Sequence, residues 1–150
     1  MYRSMSEETY LIDTNVISEL RKGRRANPGV LDFFNGVRKT NDALLISALT
    51  IGELRRGVEL IRYRGDTSQA GRLESWLENI VEDYGDNILE FTATEAQVWG
   101  RLRVPHPENA IDKQIAATAL TYDLTLVTRN TGDFDRTGVC LLNPFLPEGC

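Results

Sequence analysis

Short apolar runs that alternate with helical patterns constrain this chain more than any other feature of its sequence. The runs are Tyr10 to Ile12, Leu44 to Ile46, Ile88 to Phe91, Leu124 to Thr128 and Val139 to Leu142. Tyr10 to Ile12 is continuously apolar rather than alternating and reads as a strand covered on both faces; Leu44 to Ile46 reads as a second short buried strand, and the others as further strands. Between them lie residues at helical spacing, such as Val16, Ile17 and Leu20, or Ile51, Leu54, Val58 and Ile61. Asn27-Pro28 reads as a cap followed by proline at the first helical position, and opens a helix with Val30, Leu31, Phe34 and Val37 inward. Ser47 caps a long helix from Ala48 to Tyr63. A polar break from Gly65 to Ser68 precedes a helix carrying Leu73, Trp76, Leu77, Ile80 and Val81. Thr92 or Thr94 caps the next, with Ala96, Val98, Trp99 and Leu102. After the loop Val104-Pro105-His106-Pro107 comes a helix from Asn109 to Tyr122, and a polar loop from Asn130 to Arg136 precedes the last run. Strands alternating with helices predict an α/β fold, a mainly parallel sheet with helices on both faces. The 150 residues suffice for one domain, 1–150, with a real core, and no repeat or linker divides them.

Composition narrows the classes. Apolar residues at 41% and charged residues at 26% are ordinary for a globular protein. No apolar run approaches the ~20 residues of a membrane span, so no membrane association is expected. Met1 to Thr9 is short and polar, without the apolar core of a signal peptide, so a cytoplasmic location is expected. Cys140 and Cys150 make neither a disulfide framework nor a zinc site. The single His106 excludes a multi-histidine metal centre, and no glycine-rich phosphate loop points to a nucleotide. The net charge of −5 argues against a nucleic-acid partner, but only until its distribution is considered. Basic residues cluster at Arg21 to Arg25, Arg55-Arg56, Arg62 to Arg64 and Arg101 to Arg103, although solvated helix faces explain any one cluster. Several acids, moreover, share a pattern of their own.

Asp13 ends the first strand, where an open α/β sheet places its ligands. It is equally suited to cap the helix that follows, a role also open to Thr14 or Asn15. Glu53 lies two turns into the helix after the second strand, at the border of its apolar stripe; a surface glutamate is the plainer explanation. Asp112 shares a helical face with Ile115, Ala116 and Ala119, the face expected to pack on the sheet. A carboxylate there is expensive unless compensated by a cation or by the helix start. Asp133 follows the fourth strand and also suits a turn after Gly132, with Asp135 as a nearby competitor. All four acids follow a strand or open a helix on what should be one edge. Carboxylates gathered without matching bases suit Mg²⁺ or Mn²⁺, and such sites suit phosphoryl transfer.

Four segments carry a resemblance: Leu11 to Leu20 (LIDTNVISEL), Ser47 to Gly57 (SALTIGELRRG), Ile111 to Ala119 (IDKQIAATA) and Leu126 to Phe134 (LVTRNTGDF). In this order and spacing they resemble the PIN-domain ribonucleases, and within them the VapC-type toxins of toxin–antitoxin pairs. The resemblance spans nearly the whole chain. It implies a parallel sheet ordered 3-2-1-4-5, a homodimer, and Mg²⁺- or Mn²⁺-dependent endoribonuclease activity in which a metal-activated water cleaves the RNA phosphodiester. Asp13, Glu53, Asp112 and Asp133 match the family's acidic quartet. Asp13 and Asp112 would be the principal metal ligands; Glu53 and Asp133 would bind a second metal or hold waters. Asn15, Thr128 and Asn130 match polar residues that line or support the quartet. The segment Val104 to Ala110 departs from the pattern, being short and carrying two prolines where relatives often have a longer, glycine-containing stretch.

The resemblance also implies a cognate antitoxin, a toxin–antitoxin hetero-oligomer, and contact with operator DNA only through the antitoxin. A basic antitoxin side chain entering near Asp13, Glu53 and Asp112 is expected, since a cluster of acids is a ready receptor for a guanidinium. The apolar faces around Val30 to Val37 and Ile51 to Ile61 would anchor it. Two readings compete with the toxin ribonuclease. One is an antitoxin-binding subunit of a DNA-binding repressor complex with little nuclease activity; the intact quartet speaks against it. The other is a metal-dependent DNase, since no segment recognisably reads a 2′-hydroxyl.

Overall fold

The computed structural model describes residues 8–146; Met1 to Glu7 and Cys150, on which the expectations about the N-terminus and the cysteines partly rest, lie outside them. Its centre is a five-stranded parallel sheet in the order β3-β2-β1-β4-β5. The strands are β1 (Thr9–Ile12), β2 (Ala43–Ser47), β3 (Ile88–Leu89), β4 (Thr125–Val127) and β5 (Leu141–Leu142). The helices are α1 (Thr14–Leu20), α2 (Pro28–Thr40), α3 (Ala48–Tyr63), α4 (Thr67–Tyr84), α5 (Ala93–Leu102) and α6 (Ala110–Tyr122). Among the described residues, no helix is long and apolar enough to cross a membrane.

Strand pleating divides the core between the two sheet faces. Successive side chains of a strand point to opposite sides. Ile12 and Val127 join a cluster with Val16, Ile17, Val30, Phe34, Leu54 and Val58, contributed by α1, α2 and α3. Leu11 and Leu126 join the other cluster, with Ile115, Ala116, Ala119 and Phe134. The register Leu11↔Leu126 and Ile12↔Val127 keeps the two faces in step across β1 and β4. The central strand is sealed by this double cover, which is why its apolar run is continuous.

Caps set where the helices begin. Asn27 accepts from Gly29 N–H and Val30 N–H ahead of Pro28, as its sequence predicts. Gly29 must lack a side chain, because a Cβ there would come within 2.1 Å of the Pro144 carbonyl oxygen. Ser47 accepts from Leu49 N–H and starts α3 at the expected residue. The break expected over Gly65 to Ser68 is shorter, because Asp66 accepts from Gln69 N–H and starts α4 at Thr67. Of the two threonine candidates, Thr92 caps α5, in a capping box with Glu95. α6 enters at Ala110 behind Asn109, whose backbone is left-handed.

The outer strands are shorter than their apolar runs. β3 and β5 each have two residues and one strand neighbour, so fewer ladder bonds hold their ends in line. Cys140 falls outside β5 and is exposed, contrary to what its apolar surroundings suggest. The loop after β4 contains a 3-10 turn, Thr131–Phe134, pinned by the buried Phe134 ring. The expected docking face on Val30 to Val37 is not available: Val30, Phe34 and Val37 are buried in the core.

Candidate active site

The chain connections diverge between β1 and β4, leading to helices on opposite sides of the sheet. In open α/β sheets ligands bind at such a switch point, beyond the carboxyl ends of the strands. Asp13 follows β1 there, and Thr128 follows β4 beside it. Asp13 N–H is tied to Val127 O at 2.9 Å, so the acid is held in the sheet by its own main chain.

Asp13 turns out to be the N-cap of α1 and the centre of a hydrogen-bonded cluster at once. Its Oδ1 accepts from Thr14 N–H at 2.8 Å. Its Oδ2 accepts from Thr128 Oγ1–H at 2.7 Å and from Asn15 Nδ2–H at 3.3 Å. The Asn15 amide is oriented by the other end of its side chain, where Oδ1 accepts from Arg129 N–H at 3.0 Å. Thr128 Oγ1 in turn accepts from Asn130 N–H at 3.1 Å. Asn15 and Thr128 thus support Asp13 with their side chains. Asn130 supports it only through its main chain, whose N–H carries no sequence signal. Burial pushes the Asp13 carboxyl above its ordinary range; these hydrogen bonds oppose the shift, and the charge of Glu53 adds to it.

The other three acids are coupled to Asp13 through their charges. Asp112 lies in the first turn of α6, on the side whose next members, Ile115, Ala116 and Ala119, are buried. Its carboxyl is pushed up to about 6, first by burial and then by the charges of Asp13, Asp133 and Glu53. Asp133 sits in the 3-10 turn and is a turn residue as well as a neighbour of Asp112; Asp135 is not among the charges acting on Asp112. Glu53 is half-buried on α3. Thr14 Oγ1 donates to the fully buried Thr50 Oγ1 at 3.2 Å, tying α1 to α3. Thr50 and Glu53 are three apart and share a helical face, and the Glu53 charge acts on Asp13. Thr14 and Thr50 are site residues the sequence reading missed. The available signal was Thr50 itself, a polar residue in a buried helical stripe.

The donor set is all carboxylate oxygen. Among the described residues, no Lys or Arg forms an ion pair with any of the four acids. Nor, among the described residues, do three or more His, Cys, Asp or Glu side chains stand close enough together to hold a metal ion. The arrangement is open and self-repelling, which suits a hard divalent cation that keeps several waters and takes only one or two protein carboxylates. From Glu53 a groove of about 300 Å³ runs between α1, α3 and α4, lined by Ser18, Leu60, Ile61, Leu73 and Trp76 and flanked by Arg21 and Arg64.

Comparison with known proteins adds a second line of observation. The model of the PIN domain matches residues 10–139. Toxin FitB of Neisseria gonorrhoeae is 33% identical over 142 residues, covering 90% of this chain and 97% of its own. VapC ribonuclease Y4jK of Sinorhizobium fredii is 29% identical over 150 residues, covering 91% and 98%. A solved structure of FitAB bound to a DNA fragment superposes with a TM-score of 0.78 at 30% identity, covering 93% of this chain and 97% of that one.

Proposed function

The chain belongs to the PIN-domain family, and from that premise we propose that it is a metal-dependent endoribonuclease acting as the toxin of a toxin–antitoxin pair. One observation supports the reading: the charges of Asp13, Asp133 and Glu53 all act on Asp112, and among the described residues no Lys or Arg forms an ion pair with any of the four. Such a set is costly to keep without a counter-charge.

Asp13 and Asp112 are the residues that would hold Mg²⁺ or Mn²⁺. Asp13 has about four lone-pair sites and spends three on Thr14, Thr128 and Asn15, which leaves capacity on Oδ1. Thr128 and Asn15 keep that carboxylate in one rotamer, so the ligand is preorganised. A bound divalent ion supplies the positive charge that makes a water nucleophilic near neutral pH and offsets the charge developing on phosphate. Glu53 and Asp133, more open to solvent, hold and orient waters at the rim or help bind a second ion. The test is incubation of the purified protein with a total RNA pool, with Mg²⁺, with Mn²⁺ and with chelator, followed by mapping of cut ends. Cleavage at defined positions with metal only is expected. A protein that cuts no RNA with either metal overturns the reading, and one that cuts single-stranded DNA instead makes it a DNase.

The off-switch belongs to the same proposal. A partner named as a toxin's companion in a DNA-bound complex is a property of the relatives; for this chain, the groove between α1, α3 and α4 is where such a segment fits. Leu60, Ile61, Leu73 and Trp76 offer apolar anchors, and Glu53 at its head offers a carboxylate. This moves half of the expected anchor from α2 to α4, since the inner face of α2 is spent on the core. An antitoxin Arg or Lys entering beside Glu53 would pair with the acids and exclude metal. With the pair co-expressed, replacing that basic residue by Ala should restore RNA cleavage while leaving a weakened complex. Should every basic residue prove dispensable, and only apolar anchors matter, steric blocking replaces the charge plug.

A further inference from the structure

We propose that Arg136, held in place by His106, is the arm that binds an RNA phosphate beside the acidic site. The proposal rests on the ribonuclease reading and addresses a difficulty within it. Four clustered acids repel a polyanion, and an ion at the centre offsets only the phosphate it touches. A neighbouring phosphate needs a cation from the protein.

Two loops flank the acids on the α6 side. Residues 103–109 lead into α6 and Asp112; residues 135–138 leave the turn that carries Asp133. They meet where Arg136 Nη1 lies 3.3 Å from His106 Nε2. A guanidinium only donates, so Nε2 is the acceptor and the ring proton sits on Nδ1. That nitrogen lies 3.5 Å from Glu108 Oε1, so the tautomer Arg136 requires is the one Glu108 favours. One guanidinium donor is thereby used, and the remaining donors have no ion-pair partner among the described residues.

Lys113, Arg103 and Arg129 are each engaged elsewhere. Lys113 Nζ donates to the His106 carbonyl and is itself buried. Arg103 donates to the Pro107 carbonyl and lies 4.7 Å from the Trp99 ring centroid. Arg129 lies 4.9 Å from that of Phe145. Lys113 and Arg103 thus pin the His106 loop, and His106 in turn aims Arg136. Arg136 also holds a left-handed backbone, φ 72°, which strains an L residue. That strain sets an exposed arginine three residues beyond Asp133. A planar fork with free donors at the rim of a phosphodiesterase site matches a phosphate in charge and geometry.

The experiment uses a labelled single-stranded RNA carrying a mapped cut, with wild type, Arg136→Ala, Arg136→Lys, His106→Ala and His106→Gln in Mn²⁺ buffer. Arg136→Ala should raise KM about tenfold with kcat within about twofold, as loss of one charge-assisted contact predicts. The slope of log kcat/KM against log salt should become shallower by about 0.7, one phosphate contact on a single strand. Arg136→Lys should keep that slope. His106→Ala should raise KM by a smaller factor, and His106→Gln, which retains an acceptor, should recover part of it. Unchanged KM and salt slope in Arg136→Ala overturn the proposal while wild-type cleavage leaves the ribonuclease reading standing; a fall in Tm alone would mark the pair as a loop clasp. If wild type cuts no RNA, fluorescence anisotropy with the same oligonucleotide decides: weaker binding by Arg136→Ala supports the arm, and equal binding rejects it.

Discussion

Asp13→Asn and Asp112→Asn should each abolish RNA cleavage, by ~10³-fold or more, in proteins that remain folded. A loss of that size is about 4 kcal/mol of transition-state stabilisation, within what a metal site supplies. The fold should tolerate Asp13→Asn because asparagine is also a strong N-cap and its Oδ1 still accepts from Thr14 N–H. Its amide Nδ2 would face Thr128 Oγ1, a hydroxyl that also accepts, so that hydrogen bond reverses, while the longer one from Asn15 Nδ2–H is lost because two donors then meet. What is lost is the anionic ligand. At Asp112 the substitution removes a charge that feels three neighbouring acids, again without changing the shape of the helix face. The measurement is single-turnover cleavage of a mapped RNA at saturating Mn²⁺, with far-UV circular dichroism to check the fold. Wild-type rates in both variants would mean that the chemistry lies elsewhere.

Much of this was legible before the structure because the informative signals are local. The continuous run Tyr10 to Ile12 announces a strand covered twice, and Leu11 and Ile12 enter opposite clusters. Helix α3 runs from Ala48 to Tyr63 as its cap and stripe predict. The strand order, in contrast, came from a resemblance, since periodicity says nothing of which strands are neighbours. The four acids were readable as candidates, but each had an equally good local explanation. For Asp13 and Asp133 the local explanation holds, as cap and as turn residue, and neither local role removes the carboxylate's charge from its neighbours, since both act on Asp112. What stayed hidden depends on main-chain groups or distant pairs. Asn130 acts through its N–H, Thr14 meets Thr50 across 36 positions, and Arg136 meets His106 across 30. Edge strands were overread because an apolar run reports burial, whereas strand length depends on having a partner on each side.

The metal-free protein should lose stability as pH rises from about 4 to beyond 6, the reverse of ordinary acid denaturation. Asp112 is responsible, with a carboxyl raised from its ordinary 3.8 to about 6 in the folded chain. A raised carboxyl binds its proton more tightly in the native state than in the unfolded chain. Its contribution is therefore fully present below the unfolded pKa and is lost as pH climbs through the folded one. At about 1.36 kcal/mol per unit, a shift of roughly two units bounds the effect at ~3 kcal/mol, with solvent screening of this half-buried group reducing it. Asp13 is shifted in the same direction. Glu19, Glu59 and Glu74 are lowered by their Lys and Arg partners, so their contributions are lost on the acid side, as pH falls through their folded values below about 4.5. The interval from about 4 to above 6 therefore belongs to the site. Thermal unfolding in chelator between pH 4.5 and 8 should show wild-type Tm falling with pH, while Asp112→Asn stays flatter and is the more stable protein at pH 7.5. Saturating Mn²⁺ should reverse the order, because an ion that competes with the proton for the same oxygens stabilises only the ligand-bearing chain. A wild-type Tm that is flat or rises across this range, with no gain in Asp112→Asn, would show that the four carboxylates do not repel one another, and with it the electrostatic case for a cation at this site would fall.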